Sequence, residues 1–143
     1  GEFQAVKDIT DWAAEHGYLN QVEVLTFVDK GVSIDCMIEA GAKVQNLLTK
    51  GSLNHLTHQL KKTSSQHFSD VSEAIKLATE KGIITNVYLE DWSNGMRNSI
   101  AYVYAFLDFL KTQNVARIML PDTLGVLTPR ESYAFIKEIK DNN

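Results

Sequence analysis

The chain has 143 residues, which fits one domain, and its 44% hydrophobic and 22% charged residues are ordinary for a water-exposed globular protein. A net charge of −4, from 14 basic and 18 acidic residues, argues against a nucleic-acid binder, which carries a basic face. One cysteine, Cys36, excludes an internal disulfide and suits a reducing, cytoplasmic setting. No apolar run approaches the roughly 20 residues of a membrane span, and the polar start GEFQAVKDI has no signal-peptide pattern.

In chain order, Phe3, Val6, Ile9, Trp12 and Ala13 recur at helical spacing over 2–16, and Gly17 provides a stop. VEVLTFV (22–28) is β-branched and aromatic and predicts a strand. A short helix is expected over 32–40, with Gly41 at its end. KVQNLL (43–48) is the second strand. A long polar connection (50–65) follows, with room for a helical turn. Residues 66–80 place Phe68, Val71, Ala74, Ile75 and Ala78 on one face, the pattern of an amphipathic helix. ITNVYLE (84–90) is the third strand, 98–112 an apolar helix and VARIMLP (115–121) the fourth strand. Thr128-Pro129 opens a last helix to about residue 140, with Thr as cap, Pro at the first helical position and Glu131 in the first turn.

Five helices alternate with four strands, and strict alternation implies parallel strands joined by right-handed crossovers. Strands without polar alternation suit burial on both faces. The fold class is therefore α/β built of parallel βα units, either a doubly wound sheet or part of a (β/α)8 barrel. A barrel needs eight strands. Because the chain opens on a helix and has no initiator Met, we expect an internal segment of a longer protein, with residues 1–143 as a single domain.

In such folds chemistry is built where strands end. VYLEDWSNG (87–95) delivers Glu90 and Asp91; MLPDTLGVLTP (119–129) delivers Asp122 and Thr123 beside Gly125. A strand-end carboxylate accepts hydrogen bonds from a substrate or holds a base, whereas the structural alternative is a loop or N-cap acid. A hydroxyl beside turn amides suits a carboxylate, and the alternative is an ordinary loop start. His55, His58 and His67 are expected to be solvated loop histidines rather than metal ligands. Cys36, without a basic neighbour, is expected to be a small core residue. Tyr102, Tyr104, Phe106 and Phe109 are expected to pack a helix. Lys50, Lys61 and Lys62 are assigned to a solvated loop, although they would attract a phosphate.

Three segments in order, LLTKGSLNHLTHQLKKT (47–63), VYLEDWSNG and MLPDTLGVLTP, resemble the acyl-CoA:2-oxo acid condensing family of 2-isopropylmalate, homocitrate and citramalate synthases, to which hydroxymethylglutaryl-CoA lyase is related. The Tyr-Leu-Glu-Asp-Trp run is most similar to citramalate-synthase-like and short homocitrate-synthase-like members. The resemblance implies a TIM barrel, with this chain supplying strands three to six. It implies a Claisen-type acyltransferase in amino-acid biosynthesis that adds acetyl-CoA to a 2-oxo acid such as pyruvate or 2-oxoisovalerate. By it, Glu90 stands near the reacting groups as the catalytic residue, Thr123 binds the carboxylate or keto end, and Tyr88, Leu25 and Leu48 shape a small apolar pocket. It implies a divalent metal (Zn, Mn or Mg), held in the family by an Asp after an Arg on strand one and by a His-x-His pair. Neither motif occurs here, so this chain is assigned no metal ligands and is expected to be inactive alone. A carbon–carbon lyase and a non-catalytic α/β assembly module are the alternatives. Open sheet edges lead us to expect a homo-oligomer. Neither nucleic acid nor membrane is expected as a partner.

Overall fold

The computed structural model describes residues 1–142. Helix α1 (Glu2–Glu15) leads through a 3-10 turn into strand β1 (Glu23–Phe27). Then follow α2 (Val32–Glu39), β2 (Val44–Lys50), a short α3 (Leu53–His55) and a π turn (Leu56–Leu60). Next come α4 (Ser64–Glu80), β3 (Ile84–Glu90), α5 (Trp92–Asn98), α6 (Ile100–Lys111), β4 (Arg117–Met119) and α7 (Pro129–Asn142).

The four strands are all parallel and lie in the order β1-β2-β3-β4. Sequential order with every crossover on one side is the winding of a barrel wall. It removes the doubly wound alternative, in which the order reverses and helices cover both faces. The side chains of Leu47, Val87 and Leu89 pack against Val71 and Ile75 of α4 and Val103, Phe106 and Leu107 of α6. Ile34 and Met37 of α2 join Ala78 and Ile83 in a second cluster, against which Val24 of β1 packs. Threaded through this helix-covered face is a buried polar chain. Thr26 Oγ1 donates to Gln45 Oε1 at 2.8 Å, and Gln45 Nε2 donates to Thr85 Oγ1 at 2.8 Å, so each buried group on three adjacent strands is satisfied.

The opposite face is uncovered. Glu23, Leu25 and Phe27 share it with Asn46, Leu48 and Lys50, with Asn86, Tyr88 and Glu90, and with Arg117 and Met119. The sheet curls over this face far enough for Arg117 of β4 to pair with Glu23 of β1. Along a flat sheet those strands would stand three spacings apart, about 14 Å. Burial on both faces is therefore corrected: Leu25 and Phe27 are 50% and 49% exposed, because they line the concave side.

Other expectations also change. The structure adds two short helices, α3 and α5, to the five read from the sequence. Residues 92–98 form a helix, although Asn94-Gly95 is by itself a turn signal, and β4 covers 117–119 rather than 115–121. Helix α1 leaves Ile9 and Trp12 more than half exposed and packs through Thr10 and Ala13 instead. Cys36 is exposed rather than buried, since Ile34 and Met37 take the inward face of α2. The aromatic set packs as expected, with Phe68 stacked on Phe106 and Phe109 at 5.0 Å. Helices α4 and α7 open with capping boxes, Thr63 with Gln66 and Thr128 with Glu131. No described helix is long and apolar enough to cross a membrane.

Candidate active site at the strand ends

The register of β2 and β3 sets Lys50 opposite Glu90 as the last residues of both strands, and their side chains form an ion pair at the mouth of the concave face. Both are largely sheltered, at 14% and 23% side-chain exposure, so the pair is less screened than a surface bridge. One step down the strands, Phe27, Leu48, Tyr88 and Met119 share a row of apolar and aromatic side chains. A further step down stand Leu25, Asn46, Asn86 and Arg117. Here Asn86 Nδ2 donates to Asn46 Oδ1 at 3.0 Å, and Arg117 Nε donates to Asn86 Oδ1 at 3.3 Å. The face thus has a charged rim, an apolar middle and a hydrogen-bonded base.

The expected site residues divide accordingly. Glu90 sits on the rim, with Tyr88 and Leu48 directly beneath it. Leu25 lies on the same face one row lower, beside Asn46, so Phe27 is the β1 residue level with Leu48 and Tyr88. Thr123, from the loop after β4, reaches the end of β3: its Oγ1 accepts the Asp91 N–H at 3.0 Å.

Sequence reasoning missed how much of the site lies in what it took for a polar connection. Lys50 belongs to β2, and Tyr102 Oη donates to its carbonyl at 2.7 Å. His67 is not a solvated histidine: it is 1% exposed on α4, and its Nε2 accepts the Lys50 N–H at 3.3 Å. Burial, reinforced by Lys62 and Lys50, lowers its pKa to about 4, so it is neutral at pH 7. Together with Phe27, Leu48, Lys50, Lys62 and Glu90, His67 lines a cavity of about 230 Å³.

Asp91 is the second hub. It is 2% exposed, and its φ of +64° is left-handed, a conformation uncommon outside glycine, although Asp adopts it more readily than most residues. Its carboxylate accepts Ser52 Oγ at 2.6 Å and Asn94 Nδ2 at 2.7 Å, and His55 Nε2 lies 3.5 Å away. His55 is therefore also tied into the site rather than solvated. The β4–α7 loop is wired to α5 in parallel. Asp122 accepts Ser93 Oγ at 2.6 Å and the Leu127 N–H at 2.9 Å, and the Ser93 hydroxyl holds its carboxyl below the usual carboxylate range. Arg97 donates to Val126 O and to Glu131. Helix α5 lies close on the β2–α3 turn, where Gly95 faces the carbonyl of Gly51 without room for a Cβ.

Among the described residues no three His, Cys, Asp or Glu side chains group as metal ligands, so the residues present do not fit a metal centre by themselves. The arrangement offers a sheltered carboxylate, a hydroxyl and an ammonium above an apolar floor. Those groups suit a small organic anion with a short apolar tail.

The chain is 29% identical over 139 residues to a probable 2-isopropylmalate synthase of Ignicoccus hospitalis, covering 97% of this chain and 33% of that protein. It is 29% identical over 143 residues to an (R)-citramalate synthase of Methanocaldococcus jannaschii, covering 99% of this chain and 27% of that one. A 2-isopropylmalate synthase of Sulfolobus acidocaldarius is 30% identical over 141 residues, covering 97% of this chain and 34% of that protein. The chain spans about a third or less of the length of these curated relatives. The HMGL-like family model matches residues 1–143, and the chain belongs to the HMGL-like family.

Proposed function

We propose that this chain supplies one wall of the catalytic barrel of an acyltransferase that condenses acetyl-CoA with a 2-oxo acid to give a 2-hydroxy dicarboxylic acid. The observation that supports the reading is that Glu90 ends β3 above the apolar row of Leu48 and Tyr88, while the Thr123 hydroxyl from the loop after β4 meets the amide of the next residue, Asp91. In the reaction, the acetyl methyl loses a proton and the resulting carbanion attacks the keto carbon. The keto oxygen takes up a proton, and water cleaves the thioester to release CoA. Thr123 binds the carboxylate or keto end of the 2-oxo acid. Glu90 accepts hydrogen bonds from the reacting groups, and Lys50 keeps its carboxylate oriented. Tyr88 and Leu48, with Phe27 alongside and Leu25 below, favour a short apolar side chain, as in pyruvate or 2-oxoisovalerate. Such a floor selects weakly, since one methylene is worth only about 1–3 kcal/mol. In this reading the divalent metal is held by residues outside these 143, and the 143-residue chain alone is inactive.

The test is CoA release from acetyl-CoA, followed with a thiol reagent over a panel of 2-oxo acids, in a natural polypeptide that contains these residues. Glu90→Gln is expected to lower kcat by about a hundredfold, the scale of losing one group aimed at the reacting atoms. Thr123→Val is expected to act mainly on the KM for the 2-oxo acid. Wild-type rates in both variants would remove the assignment.

A further inference from the structure

We propose that Asp91 is a positioning residue, which turns the end of β3 so that the Thr123 hydroxyl is held beside Glu90 with its proton free for a ligand carboxylate. The inference rests on the reading of Glu90 and Thr123 as pocket residues.

Three observations converge on it. The first is conformational. Asp91 is the residue after Glu90, and its backbone is left-handed at φ +64° although it carries a side chain. Such conformations persist where the surroundings over-determine them. The second is the set of surroundings. A carboxylate at 2% exposure needs partners, and it draws them from both neighbouring connections: Ser52 at the entry to α3, Asn94 in α5, and His55 facing it at 3.5 Å. The carboxylate is thus anchored on two sides. Asp91 makes no side-chain cap hydrogen bond to α5, so its carboxylate is engaged by Ser52 and Asn94 instead. The third is where the turn aims. The Asp91 N–H leaves the strand and donates to Thr123 Oγ1 at 3.0 Å. A threonine hydroxyl has one proton and two lone pairs. With a lone pair engaged by the amide, its proton is directed elsewhere, and no acceptor takes it among the described residues. The result is a hydrogen-bond donor at the end of β3, one residue past Glu90, the orientation that a carboxylate ligand requires. Ser52 and Asp91 are not a nucleophile and its relay, because Ser52 donates to Asp91 and not to His55.

The experiment is amide hydrogen exchange and proton NMR on the 143-residue chain without ligand, comparing the wild type with Asp91→Ala, Ser52→Ala and Asn94→Ala. The expected result is about tenfold faster exchange of the residue-91 amide, the scale of one lost hydrogen bond, with loss of the contact between that amide proton and the Thr123 methyl. Exchange in β1 stays unchanged. If Asp91→Ala does not fold, the other two variants carry the test. An unchanged amide and contact in the folded variants overturns the proposal, and so does uniform acceleration across the whole sheet, which a merely stabilising residue gives. Addition of pyruvate then tests the underlying reading separately. Absence of shifts at Thr123 in the wild type counts against the pocket assignment and leaves the ligand-free result standing.

Discussion

His67 shows how one side chain joins packing to the site. Its ring lies against Phe106, with centroids 5.4 Å apart, while Nε2 accepts the amide of Lys50, whose ammonium pairs with Glu90. Burial disfavours the imidazolium, and the folded pKa falls from 6.5 to about 4. Between those values the unfolded chain binds a proton that the folded chain does not. Stability therefore rises with pH across that window and is lost as pH falls, by roughly 3 kcal/mol for a shift of this size. Denaturant titrations from pH 4 to 7 are expected to show this slope in the wild type and a flatter one in His67→Gln. Equal slopes would mean that His67 is not buried neutral. In the sequence, Glu90 and Thr123 were legible because each ends an apolar run. Asp91 stood out beside Glu90, but its partners did not, and Lys50 and His67 were not legible, because their roles depend on partners 17 to 40 residues away that only the fold brings together.

The elements that carry the site are held by two kinds of local device. Gly51 and Gly95 let the β2–α3 turn and α5 approach backbone to backbone. A Cβ at Gly95 would meet the Gly51 carbonyl oxygen far inside van der Waals contact, and neither backbone can yield as a flexible side chain does. Gly95→Ala is expected to cost about 3 kcal/mol, as overpacking does, read as a lower midpoint of urea unfolding. The other device is the capping box of α7. Glu131 accepts the Thr128 amide and hydroxyl and the Arg97 guanidinium, and the Thr128 amide is the largest cause of a carboxyl pKa lowered from 4.5 to about 2. Its contribution is present above pH 4.5 and fades as pH falls toward 2. Glu131→Gln is expected to remove that part of the acid slope in thermal melts. The Thr-Pro-x-Glu start of α7 was legible from sequence because capping is local. Helix α5 was not. Its Asn-Gly pair is a turn signal, yet Trp92 and Met96 are buried against the core and hold those residues helical.

Over the whole molecule, alternation of helix and strand was enough to fix parallel winding, but barrel or doubly wound sheet is a question of which side each crossover takes, and periodicity is silent on that. The crossovers pack on one side, which leaves the concave face and both outer strands uncovered. Ile84 is 49% exposed on that face, and Tyr133 of α7 is 71% exposed near one end. Surfaces of this kind promote self-association. Light scattering coupled to size exclusion is expected to give the isolated 143-residue chain a concentration-dependent mass above 16.0 kDa, and a constant 16.0 kDa would contradict this.

The proposed function requires the concave face to receive a 2-oxo acid between Glu90 and Thr123. Its most direct test is a crystal structure of the barrel that contains these residues, grown with pyruvate or 2-oxoisovalerate. The expected result is the carboxylate or keto group within hydrogen-bond reach of Thr123 Oγ1, Glu90 beside the keto carbon, and the ligand's apolar end over Leu48 and Tyr88. A 2-oxo acid bound away from the ends of β3 and β4 would contradict it.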